Sequence, residues 1–127
     1  MTDQGGSEVA DLVATLREHG AVFALLHGSA ATGTQRSESD LDVGAWWASD
    51  PPAVFEVDVP SGVDLVVLNG APLELAGRIA RDGVVLFEDD PAARVRWQAT
   101  MRKIYFDELP RLMRSHREFA EAVRRGR

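Results

Sequence analysis

The hydrophobic positions of this chain fall into short runs of two periods. Over Ser7 to His19 (SEVADLVATLREH) Val9, Leu12, Val13 and Leu16 recur at helical spacing, which predicts an amphipathic helix with Ser7 as N-cap and Gly20 as its stop. Ala21 to His27 is a nearly unbroken apolar run and reads as a buried strand. Gly28-Ser29 follows at once, then small residues (Ala30, Ala31, Thr32) able to start a helix, then a polar loop from Gly33 to Ser39. The chain re-enters an apolar strand at Asp40-Leu41-Asp42-Val43-Gly44-Ala45-Trp46. The prolines of Ser49 to Pro52 force a loop. Val54 to Val59 alternates apolar and acidic residues as an edge strand would, and Pro60-Ser61-Gly62 is a turn. Val63 to Leu68 is strongly β-prone.

The second half continues the alternation. Pro72 to Arg81 predicts a short helix ending near Asp82-Gly83, and Val84 to Phe87 another strand. From Pro91 to Arg124 the period is helical, with Val95, Ala99, Met101, Ile104, Tyr105, Leu109, Leu112 and Met113 as the candidate buried face. Pro110 is expected to break or kink that helix. The order of elements predicts an α/β (α+β) fold, a small mixed β-sheet with helices on one side. One domain fills residues 1–127, with a core at about 7–90 and a helical region at about 91–125.

Composition narrows the picture. A chain of 127 residues with 45% apolar content can bury one modest core. It has no cysteine, so neither a disulfide framework nor a Cys-based zinc site is available. The polar, acidic N-terminus is not a secretory or transit signal, and no window approaches the roughly 20 apolar residues of a membrane helix. These features together point to the cytoplasm. The net charge of −6 is unevenly spread. From Arg94 onward there are ten Lys/Arg against four Asp/Glu, so the preceding part is strongly acidic and a poor passive binder of nucleic acid.

The chemistry gathers between Leu25 and Trp47. In a strand, side chains two positions apart share a face, so Asp40 and Asp42 project together about 6–7 Å apart. Such a pair repels unless a cation lies between its members, and hard oxygen ligands suit Mg²⁺. Gly28 permits a tight turn and close approach of a ligand, while Ser29 offers a hydroxyl and an N–H at a helix start. The unit is therefore a phosphate cradle beside a metal-binding carboxylate pair, an arrangement that suits a nucleoside triphosphate. Asp64 interrupts the run Val63 to Leu68 and demands a partner there, and Asp58 sits in a similar local setting.

Gly28-Ser29, ten intervening residues and Asp40-Leu41-Asp42 resemble the signature of the DNA polymerase β-like nucleotidyltransferase superfamily, in its minimal nucleotidyltransferase (MNT) branch. The resemblance covers residues 21–69 with motifs. It implies a nucleotidyltransferase fold and a third carboxylate from a neighbouring strand, placed at Asp64 with Asp58 as the rival. It implies Asp40, Asp42 and Asp64 as catalytic ligands of two Mg²⁺ ions, and ATP held at Gly28 and Ser29. Arg36 could add charge on the triphosphate, and Ser39 could cap the turn before Asp40. Chains this short resemble MNT antitoxins of type VII toxin–antitoxin pairs, which transfer AMP from ATP to a tyrosine of a HEPN-domain toxin. A hetero-oligomer with such a toxin is therefore expected, docked through the C-terminal helical region with Tyr105, Phe106 and Phe119. Transfer to a small hydroxylated acceptor such as an aminoglycoside, and neutralisation of the toxin by binding alone, are the alternatives. His27 is expected to be a packed strand-end residue.

Overall fold

A computed structural model of the protein describes residues 4–28 and 41–126. Its elements are α1 (Gln4–Glu18), β1 (Ala21–His27), β2 (Leu41–Trp47), a 3-10 turn (Val54–Glu56), β3 (Val63–Val67), α2 (Leu73–Asp82), β4 (Val84–Glu88) and α3 (Pro91–Arg124). Among the described residues four strands form one mixed sheet in the order β3-β2-β1-β4. β1 runs antiparallel to both β2 and β4, while β2 and β3 are parallel.

The two faces of the sheet carry separate cores, as the period of two requires. On one face Val43, Ala45 and Trp47 of β2 and Leu65 of β3 meet Leu12 and Leu16 of α1. On the other, Phe23 and Leu25 of β1 and Leu68, just past β3, meet Ala76, Ile79 and Ala80 of α2 and Trp97 of α3. The expectation of helices on one side is therefore corrected: α1 covers one face, and α2 with α3 covers the other. Phe23, Leu25 and Ile79 are essentially fully buried. Each such side chain contributes roughly 1.5–3 kcal/mol relative to exposure. The adjacent tryptophans divide between the faces. Trp47 lies in the α1 core and donates from Nε1 to the His19 carbonyl at 2.8 Å. Trp46 stacks on Phe23 with ring centroids 5.3 Å apart.

Polar contacts close the edges. Arg17 of α1 forms a two-toothed ion pair with Asp89 beyond β4, its Nη2 2.7 Å from the carboxylate, and holds that carboxyl below its ordinary range. The Ala80 carbonyl, near the C-terminus of α2, accepts from Gln98 Nε2 at 3.1 Å and Arg102 Nε at 2.8 Å. These bonds satisfy a helix-end carbonyl that has no partner within its own helix. Asp90 caps α3 by accepting from the Ala93 N–H at 3.2 Å, with Pro91 as the first helical residue.

Several local expectations are corrected. α1 begins at Gln4, so Ser7 stands inside the helix and not at its cap. Residues 54–59 contain the 3-10 turn instead of an edge strand, with the Glu56 carboxylate accepting from the Ala53 N–H at 2.8 Å. That bond competes with extension, and no neighbouring strand pairs with the segment among the described residues. The face of α3 that packs carries Ala93, Trp97, Gln98 and Tyr105, whereas Val95, Ile104 and Met113 are exposed.

α3 also continues through Pro110. Pro110 is exposed, so the Phe106 carbonyl, which loses its intrahelical donor there, can be solvated. Replacing Pro110 by alanine restores that donor. The Pro110→Ala chain should be more stable by about 1–3 kcal/mol. Circular dichroism melts would read this, and an unchanged or lower midpoint would contradict it.

Candidate functional site

Three side-chain positions line up across the sheet. In the antiparallel pair, His27 at the end of β1 stands opposite Asp42 near the start of β2. In the parallel pair, Asp42 stands opposite Asp64 near the start of β3. By alternation from Leu25, Gly44 and Val66, all three belong to the face that α2 and α3 cover. Adjacent strands lie about 4.8 Å apart, so Asp42 and Asp64 are next-strand neighbours on one face. Like charges directly opposite one another destabilise a sheet unless something offsets them.

Gly28 closes the row. Its φ of +72° is left-handed, a conformation glycine adopts without strain. A Cβ placed there would run into Asp42 Oδ2 and would lie 3.2 Å from Asp42 Cγ. The turn after β1 thus presses its backbone against the carboxylate of β2, a cradle that any side chain would fill. The paired carboxylates, beside a turn with no room for a side chain, fit a hard divalent cation.

His27 bears the electrostatics of the row. Burial pushes its imidazole below the ordinary histidine range, and the charges of Asp42 and Asp64 oppose that push, while the Arg78 guanidinium adds to it. Nε2 of His27 is buried with no hydrogen-bond partner among the described residues. The unfolded chain therefore takes up a proton first as pH falls through about 6.5. Stability is present above that pH and declines from there down to the lower folded value. The His27→Leu chain should lack this component, so its melting temperature should fall less than the wild type's between about pH 7.5 and 5.5. Equal losses in both chains would contradict the assignment.

Arg78 was not anticipated. It projects from the exposed side of α2, and its charge is felt at His27 together with those of Asp42 and Asp64. No carboxylate pairs with it among the described residues, in contrast to Arg81, which is bound to Asp82 at 2.9 Å. The only signal in the sequence was an arginine on the polar side of a short helix, which is the ordinary place for one.

Ser29, Asp40, Arg36 and Ser39 lie outside the described residues. Asp40 immediately precedes β2, and Ser29 immediately follows Gly28. Asp58 is exposed, follows the 3-10 turn, and has no place in the ladder that pairs Asp42 with Asp64. Among the described residues no group of three His, Cys, Asp or Glu side chains could hold a metal ion. A cavity of about 320 Å³, lined by Trp46, Ala93, Arg96, Trp97, Thr100 and Met101, lies toward the other end of this face. Trp46 is four residues along β2 from Asp42, about 13 Å in a strand. No helix among the described residues is long and apolar enough to cross a membrane.

The family model described as "Polymerase beta, Nucleotidyltransferase" matches residues 11–92, from within α1 to the start of α3. No curated protein matches the chain. Among solved structures, the chain is similar to one in a toxin–antitoxin complex with AMP-PNP, at 21% identity and TM-score 0.62, covering 85% of this chain and 98% of that one. It is similar to one in a MntA toxin–antitoxin complex with two aspartates replaced by glutamate, at 20% identity and TM-score 0.61, covering 85% and 98%. It is also similar to one in a complex of tri-AMPylated Shewanella oneidensis HEPN toxin with MNT antitoxin, at 17% identity and TM-score 0.58, covering 87% and 98%. These likenesses establish a shared fold.

Proposed function

The chain belongs to the polymerase β nucleotidyltransferase family, and from that premise we propose that it transfers AMP from ATP to a tyrosine hydroxyl of a HEPN-domain toxin, as that toxin's antitoxin. The observation that carries the reading is the ladder register that sets Asp42 opposite Asp64, with Gly28 closed against Asp42. Support for the partner comes from the similar chains, which occur in toxin–antitoxin complexes, one with AMP-PNP and one with an AMPylated HEPN toxin.

In the proposed reaction the tyrosine oxygen attacks the α-phosphorus of ATP. A new O–P bond forms, the bond from that phosphorus to the α–β bridging oxygen breaks, and pyrophosphate leaves. Such a transfer depends on positioning and on neutralising charge. Asp40 and Asp42, with Asp64, would hold two Mg²⁺ ions, which when bound screen the triphosphate and acidify the attacking hydroxyl. Asp64, on the edge strand of the row, takes the tyrosine proton. The backbone at Gly28 and the Ser29 hydroxyl hold the β- and γ-phosphates. Arg78 lies on the same face and supplies positive charge toward the leaving pyrophosphate.

The test uses the purified chain, ATP labelled in the α-phosphate, Mg²⁺ and the protein encoded beside it, followed by intact mass. Gain of AMP on a toxin tyrosine is the expected result. A stable complex without label would point to neutralisation by contact and defeat the transfer reading.

A further inference from the structure

The C-terminal half of α3 carries a mostly apolar stripe that the fold leaves largely uncovered. Up to Tyr105, α3 packs on α2 and the sheet, with Trp97 in the shared core and Tyr105 against Gly77. Beyond that point Phe106, Leu109, Met113, His116, Ala120 and Val123 recur at alternating spacings of three and four. That is the pattern of a helix face made to meet another helix. Phe106 is 61% exposed, Met113 56% and Val123 53%, and Phe119 beside the stripe is 73% exposed. This half touches α2 through the ion pair of His116 Nε2 with Glu74 Oε2 at 3.3 Å. Residues 106–124 span about 27 Å of helix, and a helix of this length is marginal in water unless its face is packed. A contiguous exposed apolar strip marks an interaction surface.

The charges along the stripe select the partner. Arg111 is paired with Glu108 at 3.3 Å and Arg125 with Glu121 at 3.7 Å. Arg117 and Arg124 have no acidic partner among the described residues, and their spacing of seven sets both on one edge of the stripe. A second copy lying antiparallel would set arginine against arginine. A parallel copy would lay these arginines over Leu112 and Phe119, with no counter-charge. Neither self-pairing satisfies the edge.

We propose that residues 106–124 of α3 are the docking surface for an amphipathic helix of the partner toxin, apolar on its inner side and bearing Asp or Glu where it meets Arg117 and Arg124. This rests on the partner reading given above and adds to it the surface and the chemistry that fits it.

The test measures binding of the full chain to the protein encoded beside it, for the wild type and two double variants. Met113→Asp with Val123→Asp places charge in the stripe, and Arg117→Glu with Arg124→Glu reverses its edge. All four positions are exposed, so folding and ATP binding should persist. Both variants should bind about tenfold or more weakly, and the arginine variant should also lose most of the salt dependence of binding. Wild-type binding that neither variant weakens would overturn the surface and leave the proposed reaction standing. A wild-type chain that does not bind the toxin at all would overturn both. A wild-type dimer in light scattering, abolished by Met113→Asp with Val123→Asp, would assign the stripe to a second copy and overturn the heterotypic partner.

Discussion

Asp42→Asn should lower nucleotidyl transfer by at least about a hundredfold while leaving the metal-free fold as stable as the wild type or slightly more so. The two halves of this expectation share one cause. Asp42 faces Asp64 across the parallel ladder and Gly28 across the turn. Without a cation, two adjacent carboxylates oppose folding, and neutralising one relieves a repulsion of about 0.2–1 kcal/mol. With a cation and a triphosphate, the same carboxylate holds charge that no neutral amide can match. Activity and metal-free stability should therefore move in opposite directions, which a merely structural role for Asp42 would not produce. Gly28→Ala should reproduce the kinetic loss, because the added Cβ displaces the Asp42 carboxylate and the left-handed backbone is strained besides. Asp64→Asn should behave like Asp42→Asn. Asp58→Asn should leave transfer unchanged, since Asp58 is outside the ladder. Rates with labelled ATP and melting curves without metal would settle each case. An Asp42→Asn chain that keeps wild-type rates would remove this pair from the chemistry.

The parts of this fold that could be read in advance are those where local sequence and global burial agree. Ala21 to His27 and Val63 to Val67 are β-prone runs long enough for little else, and both are strands. The opposite faces of Trp46 and Trp47 follow from the period of two. Asp64 is followed by a longer apolar run than Asp58, and it is Asp64 that lies in a paired strand. Residues 54–59 misled because acidic alternation is also compatible with an exposed turn that finds its bonds locally. The face of α3 misled for another reason. A 34-residue helix packs along only part of its length, so an apolar residue on it need not be a core residue. Its sequence carries two stripes: one meets α2, and the other continues past the end of that contact. Which face of the sheet each helix covers, and where Arg78 points, depend on how distant elements pack, and no local window records that.

Gly77→Ala should destabilise the fold, although in the sequence Gly77 is only a glycine inside a helix. Helix propensity alone makes Gly77→Ala favourable by about 1 kcal/mol. Packing reverses the sign. A Cβ at this position would lie 2.6 Å from Tyr105 Cβ and would enter the space of its ring. Tyr105 is buried, and its Cβ moves only if α3 moves. Overpacking of this kind costs about 1–3 kcal/mol for a single methyl group, so Gly77→Ala should be destabilising in net, and Gly77→Val more so. In a domain of this size each kcal/mol lowers the melting temperature by about 4 °C. Tyr105→Ala removes the obstacle at the price of a cavity. The double variant should therefore be more stable than the sum of the single effects predicts, a coupling that a thermodynamic cycle measures directly. Strict additivity would mean that the two helices do not meet at these atoms. The same clash bears on function, because α2 holds Arg78 on the face that carries His27, Asp42 and Asp64. Pushing α2 away from α3 displaces that guanidinium, so the Gly77→Ala chain should lose transfer rate even at temperatures where it remains folded, and Tyr105→Ala in the same chain should restore part of it.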